Sequence, residues 1–201
     1  MVSGELMPRA VVIGASAGAI DALKQIIPQL PHDLSIPVII VVHLAARKES
    51  LLPQIFRPLT PIGIREPNDK EPVGAGIWFA PPDYHLLVEK DHTFSLSLDT
   101  PVKFSRPSID VLFSAAAEAY GDGLLAVLLT GANDDGADGL RDVRQRAGRV
   151  IVQDPATAEA SEMPKAGLRV ATPIFTGSTS MIGAFLATLL QRAASDSRET
   201  S

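Results

Sequence analysis

Three short stretches of this sequence put reactive side-chain types where chemistry can be done. The first is Gly14-Ala15-Ser16-Ala17-Gly18, a G-x-S-x-G pattern between an expected strand and an expected helix. Its glycines allow a tight turn, so the serine oxygen can project from a sheet edge as a nucleophile. The amide of Ala17 then lies near a helix N-terminus, where it can help stabilise an oxyanion. Two blander readings stand beside this one: Ser16 as a helix cap, or Gly14 to Gly18 as a phosphate loop. The phosphate reading lacks both G-x-G-x-x-G and the P-loop lysine.

The second stretch is Val38-Ile39-Ile40-Val41-Val42-His43, a buried-strand pattern ending in histidine. A histidine there can take a proton from a neighbouring hydroxyl, because imidazole titrates near neutrality. The alternative is a histidine bonded to a loop carbonyl. His32 falls in a loop, and His85 and His92 fall in a hairpin region, so none of them has this placement. In the third stretch, Leu128-Leu129-Thr130-Gly131-Ala132-Asn133-Asp134-Asp135-Gly136, an apolar strand empties into an acidic turn. An aspartate here can hold an imidazole in one tautomer and offset its charge. It can equally be a helix N-cap at Asp134 or Asp135. A divalent-metal site of Asp134, Asp135 and Asp138 is the third option, although no EF-hand pattern is present. The order serine, histidine, aspartate differs from the Ser-Asp-His order of α/β-hydrolases.

The elements that must carry these residues follow from hydrophobic pattern. Strands are expected over residues 9–14, 37–43, 62–66, 124–129 and 149–153, and helices over 19–30, 49–56, 108–120, 136–147, 163–170 and 180–194. Residues 76–80, 85–89 and 93–98 read as antiparallel hairpins around a Pro-Pro-Asp turn. Strands alternating with helices predict an α/β fold: a doubly wound, mainly parallel sheet with helices on both faces and an antiparallel hairpin region. In such sheets functional groups gather at the carboxyl ends of the strands, where all three stretches fall.

The chain has 201 residues, enough for one domain with its own core. With 46% hydrophobic and 20% charged residues it is not a disordered sequence. A net charge of −5 without basic runs argues against nucleic acid or an anionic membrane as partner. The absence of cysteine excludes disulfides, thiolate metal sites and a cysteine nucleophile. The first residues do not read as a signal peptide, and the longest apolar run, 36–42, is too short to span a bilayer. A cytoplasmic protein without membrane insertion is the expectation.

From about Ala10 to about Val170 the sequence resembles the catalytic domain of CheB, the chemotaxis protein-glutamate methylesterase family. The landmarks occur in order: Ile13-Gly-Ala-Ser-Ala-Gly18, Val42-His43, Phe79-Ala-Pro-Pro-Asp-Tyr-His85, Arg106-Pro-Ser-Ile-Asp-Val-Leu-Phe113, Leu129-Thr-Gly-Ala-Asn-Asp-Asp-Gly136, and Met163-Pro164 after Val152-Gln153-Asp154. The resemblance implies a triad of Ser16, His43 and Asp135, with Asp135 selected over Asp134 because it immediately precedes the last glycine. It implies the amide of Ala132 as a second oxyanion donor beside that of Ala17. The implied reaction is hydrolysis of glutamate 5-methyl esters on cytoplasmic helices of chemoreceptors or a related signalling protein, with glutamine deamidation as a second activity. No metal or organic cofactor is implied. The alternatives are a serine esterase acting elsewhere and a catalytically silent interaction domain. One methylesterase-type domain over 1–201 is expected, with its core at about 9–194, frayed termini and no receiver domain. A receiver or other signalling domain would then act in trans. Three departures from the family pattern stand out: Leu44-Ala45 in place of Met-Pro, Ala19 in place of a second glycine, and Asn133-Asp134 in place of Gly-Asn.

Overall fold

The computed structural model describes residues 7–43 and 50–199. Leu44, Ala45 and Glu49, the last being the expected start of a helix, lie outside the described residues. The elements run β1 (Ala10–Ala15), α1 (Ala19–Ile26), β2 (Pro37–Val42), α2 (Leu52–Phe56), β3 (Ile64–Arg65), β4 (Gly76–Phe79), β5 (His85–Val88), β6 (Phe94–Ser97) and α3 (Ile109–Tyr120). They continue with β7 (Leu124–Leu128), α4 (Ala137–Gln145), β8 (Arg149–Gln153), α5 (Glu162–Val170), β9 (Phe175–Gly177) and α6 (Thr179–Glu199).

Seven strands form one sheet in the order β3-β4-β2-β1-β7-β8-β9, and every recorded pairing within it is parallel. β1, β2 and β7 are buried at every position, which is why they read as continuous apolar runs rather than alternating ones. Alternation still sorts their side chains between two layers. Val11 and Ile13 of β1 and Val38 and Ile40 of β2 pack in a core with residues of α1, α2 and α6. Val12, Ile39 and Val41 pack in a second core with α3, α4 and the β5–β6 hairpin. Ser16 and His43 continue the parity of this second set, and His43 meets its partners Asp135 and Ser105 on the α3 side of the sheet.

The α/β architecture matches the sequence expectation, with differences at particular elements. β4 does not join a hairpin: Pro37 pairs with Gly76 and Ile40 with Phe79 in parallel register. Among the named strands of the described residues, β5 and β6 alone pair antiparallel, His85 opposite Ser97. The Pro81-Pro82-Asp83 turn therefore leads out of the parallel sheet instead of closing a hairpin. The first helix tightens to a 3₁₀ turn at Ile27–Gln29, where Pro28 removes an amide donor. β9 has three residues, too few to leave a periodic signal, and α6 runs to Glu199, past the expected helix end at 194. Among the described residues no helix is long and apolar enough to cross a membrane.

Candidate active site

β1 lies between β2 and β7; the chain leaving β1 crosses to β2 while the chain leaving β7 crosses the other way to β8, which opens a crevice at their carboxyl ends. Ser16 sits on the turn leaving β1. Its amide donates to the Thr130 carbonyl at 2.9 Å, and the His43 amide donates to the Ala15 carbonyl at 3.1 Å. The ends of β7, β1 and β2 are thus stitched side by side. α1 is capped by Gly18, at φ +80°, with no side-chain capping bond, so Ser16 is not the helix cap. Among the described residues the Ser16 hydroxyl has no hydrogen-bond partner, and the side chain is half-buried. Gly14 is required for a different reason: a Cβ there would lie 2.3 Å from Ile109 Cγ2, so its absence lets the first turn of α3 rest against β1.

Asp135 is fully buried and has four hydrogen-bond donors around it. Oδ2 accepts from His43 Nε2 at 2.8 Å and from the Ile109 amide at 2.8 Å. Oδ1 accepts from Ser108 Oγ at 2.9 Å and from the Asp110 amide at 3.0 Å. The carboxylate therefore sits on the N-terminus of α3, where free amides and the helix dipole favour negative charge. Burial pushes its pKa up, but the bonds from His43 and the Asp110 and Ile109 amides outweigh burial and hold it below the ordinary aspartate value. An ionised carboxylate only accepts, so His43 Nε2 carries a proton, and it is the Nδ1 edge of the ring that is left to present a lone pair in the neutral tautomer. The nearest recorded partner of Nδ1 is Ser105 Oγ at 3.3 Å, not Ser16.

The support for this pair is reciprocal. Asp135 caps α3 from the loop before α4, while Asp110, in the first turn of α3, caps α4 by accepting from the Gly136 and Gly139 amides, both at 2.8 Å. His85 is buried between Thr100 and Ser108: Nε2 donates to the Thr100 carbonyl at 3.2 Å and Nδ1 accepts from the Ser108 amide at 3.1 Å. Thr130 is tied in from the other side, its amide donating to Gln153 Oε1 and its hydroxyl to the Ala17 carbonyl. The Gly131 carbonyl accepts from the Met163 amide. Ala17 and Ala132, whose amides are the two sequence-predicted oxyanion donors, are exposed residues, and those amides make no hydrogen bond among the described residues.

Lys103 changes the reading of the other carboxylates. Its Nζ lies 2.9 Å from Asp110 Oδ2, 2.9 Å from Asp138 Oδ2 and 3.6 Å from Asp134 Oδ2. Burial opposes the ammonium, yet Asp110 and Asp138 raise its pKa above the ordinary lysine value. The extra negative charge of Asp134 is thus met by a cation. Asp134, Asp135 and Asp138 do not converge on one point, and among the described residues no cluster of three metal-type ligands occurs. Ser105, Ser108, Asp110 and Lys103 were not singled out from sequence. Ser108 had a legible signal, a serine opening an expected helix just after Pro107, and it does cap α3, accepting from the Val111 amide.

The fold and this cluster define a class of domain: a doubly wound α/β unit with serine, histidine and aspartate gathered at its switch point. The chain belongs to the CheB methylesterase family, whose model matches residues 11–186. It is 50% identical over 160 residues to a putative protein-glutamate methylesterase/protein-glutamine glutaminase of Leptospira interrogans, covering 79% of this chain and 83% of that one. A protein-glutamate methylesterase/protein-glutamine glutaminase of Symbiobacterium thermophilum is 37% identical over 164 residues, covering 81% of this chain but 45% of that protein. Among solved structures, the CheB methylesterase catalytic domain of Thermotoga maritima superposes with a TM-score of 0.82 at 29% identity, covering 90% of this chain and 98% of that one.

Proposed function

We propose that this chain is a protein-glutamate methylesterase that hydrolyses glutamate 5-methyl esters on the cytoplasmic helices of chemoreceptors, and that it also deamidates receptor glutamines. The observation that carries the reading is the 2.8 Å bond between His43 Nε2 and the buried Asp135, one strand away from Ser16, in a chain of this family. Ser16 is assigned as nucleophile and His43 Nδ1 as its base. The Ser16 proton passes to Nδ1 as Oγ attacks the ester carbonyl. Asp135 holds the ring orientation and offsets the imidazolium that forms. The Ala17 and Ala132 amides are assigned to the oxyanion. Collapse of the tetrahedral species expels methoxide, which takes the proton from His43 and leaves as methanol. Water, deprotonated by the same nitrogen, then cleaves the acyl-serine to release glutamate. With glutamine as substrate the leaving group is ammonia and the product is the same. This chemistry uses only side chains and amides of the protein, and the substrate puts its site of action in the cytoplasm.

The test is methanol release and mass loss from a methylated receptor fragment. The expected result is one methanol for each methyl group lost, with glutamate at the modified positions. A folded protein that releases no methanol from the fragment contradicts the proposal.

A further inference from the structure

The residue that touches the base nitrogen of His43 stands on an unusual piece of backbone. Val102 and Ser105 exchange two hydrogen bonds, Val102 N to Ser105 O at 3.1 Å and Ser105 N to Val102 O at 2.8 Å, closing a two-residue turn. Its central residues, Lys103 and Phe104, have φ +46° and +64°. Turns with both central residues at positive φ are normally built from glycine and asparagine, because a Cβ makes that conformation unfavourable. Neither residue here is of that kind, so neighbouring structure must hold the turn. Lys103 supplies that hold, through Asp110 and Asp138 at 2.9 Å each and a bond from Nζ to the Asp134 carbonyl at 3.1 Å. All three acceptors lie on α3, α4 or the loop that carries Asp135. The turn is therefore fastened to the same two helix N-termini that fix the aspartate.

From this we infer that Ser105 is a positioning residue for His43, held in place by Lys103, so that the imidazole is gripped at both nitrogens. The inference rests on the function proposed above for its kinetic consequence, but not for its geometric content. A serine hydroxyl suits the task because it both donates and accepts. It donates to Nδ1 in the resting enzyme, yields that single lone pair when the Ser16 hydroxyl donates to it, and accepts from Nδ1–H once the ring has taken the proton. Asp135 constrains one edge of the ring, and a ring held at one edge alone can still tilt. A small tilt moves Nδ1 away from Ser16, and loss of reactive alignment is costly to rate. Phe104, fully exposed beside Ser105, makes none of these contacts, so it serves as the internal control.

The experiment compares the parent with Ser105→Ala, Ser105→Thr, Lys103→Met and Phe104→Ala, using nitrogen-15 imidazole spectra of His43 and steady-state hydrolysis of a methylated receptor fragment. Ser105→Ala is expected to move the Nδ1 resonance toward that of an unbonded nitrogen and leave Nε2 near its parent position. It is also expected to lower kcat about tenfold with KM unchanged. Ser105→Thr should restore both readouts, and Lys103→Met should reproduce the Ser105→Ala spectrum by releasing the turn. Phe104→Ala should leave the Nδ1 resonance in place. An Nδ1 signal unaffected by Ser105→Ala, in a folded variant, overturns the inference whether or not the fragment is hydrolysed. Failure of the parent to hydrolyse the fragment, with the Nδ1 shift present, counts against the proposed substrate and leaves the positioning role standing.

Discussion

Asp135 receives four hydrogen bonds, but only the one from His43 bears on the proposed chemistry; the other three keep a charge alive inside the protein. Asp135→Asn presents an amide where Nε2–H needs an acceptor and so permits the opposite histidine tautomer. It is expected to lower kcat by on the order of 10³–10⁴-fold, measured as methanol release. The same residue has a signature in stability. Its folded pKa is depressed, so the folded state binds a proton less readily than the unfolded chain does. That contribution is complete above the ordinary value of 3.8 and is lost as pH falls through the lower folded value. Asp110, raised by burial despite the Gly139 amide and Lys103, acts in the opposite sense, so the comparison must be between parent and variant. In chemical denaturation from about pH 5 to about pH 2 the parent should lose stability more steeply than Asp135→Asn. Parallel curves would contradict this assignment. The positions of Ser16 and His43 were legible in sequence because each lies just beyond a buried strand, whereas the choice of Asp135 over Asp134, in the longer loop after β7, came only from the family resemblance. Ser105 and Lys103 were not legible, since their meaning depends on a turn whose partners lie far along the chain.

At the scale of elements, the site is the meeting of three strand ends with the first turn of α3. Gly14 makes that meeting possible, because any Cβ would overlap Ile109 Cγ2 at 2.3 Å and press on its Cγ1 and Cδ1 at 3.1 Å. Gly14→Ala should destabilise the protein by about 1–3 kcal/mol in urea denaturation, through overpacking. It should also lower kcat in the folded fraction, since α3 carries two of the amides that hold Asp135. Parent-like denaturation would show that α3 does not rest on β1 as described. The elements themselves were read from sequence with uneven success. Strands buried on both faces announced themselves as β-branched runs. β4 announced itself equally well but was paired wrongly, because Gly76-Ile77-Trp78-Phe79 carries no mark of which neighbour it will join. The Pro-Pro-Asp turn after it favoured a hairpin, and only the register with Pro37 to Ile40 resolves the choice.

The whole molecule divides its labour between the faces of the sheet. The layer with α3 and α4 carries Asp135, Ser108 and the Lys103 contacts, while α1, α2 and α6 close the core on the opposite face. Leu186 of α6 is fully buried in that opposite core. Leu186→Ala should cost about 2–5 kcal/mol in unfolding free energy yet leave kcat unchanged below the unfolding transition. A loss of kcat in the folded variant would mean that the two layers are coupled. The strand order was beyond sequence reasoning, because alternating strands and helices specify a parallel sheet without saying that β1 will lie between β2 and β7. That placement brings three weak sequence signals into one crevice, where Ser16 is proposed as the nucleophile. The most direct test is a fluorophosphonate probe followed by mapping of the modified peptide. An adduct on Ser16 is expected, lost in Ser16→Ala and slowed in His43→Ala and Asp135→Asn. An adduct on Ser105, or labelling of Ser16→Ala at the parent rate, would contradict it.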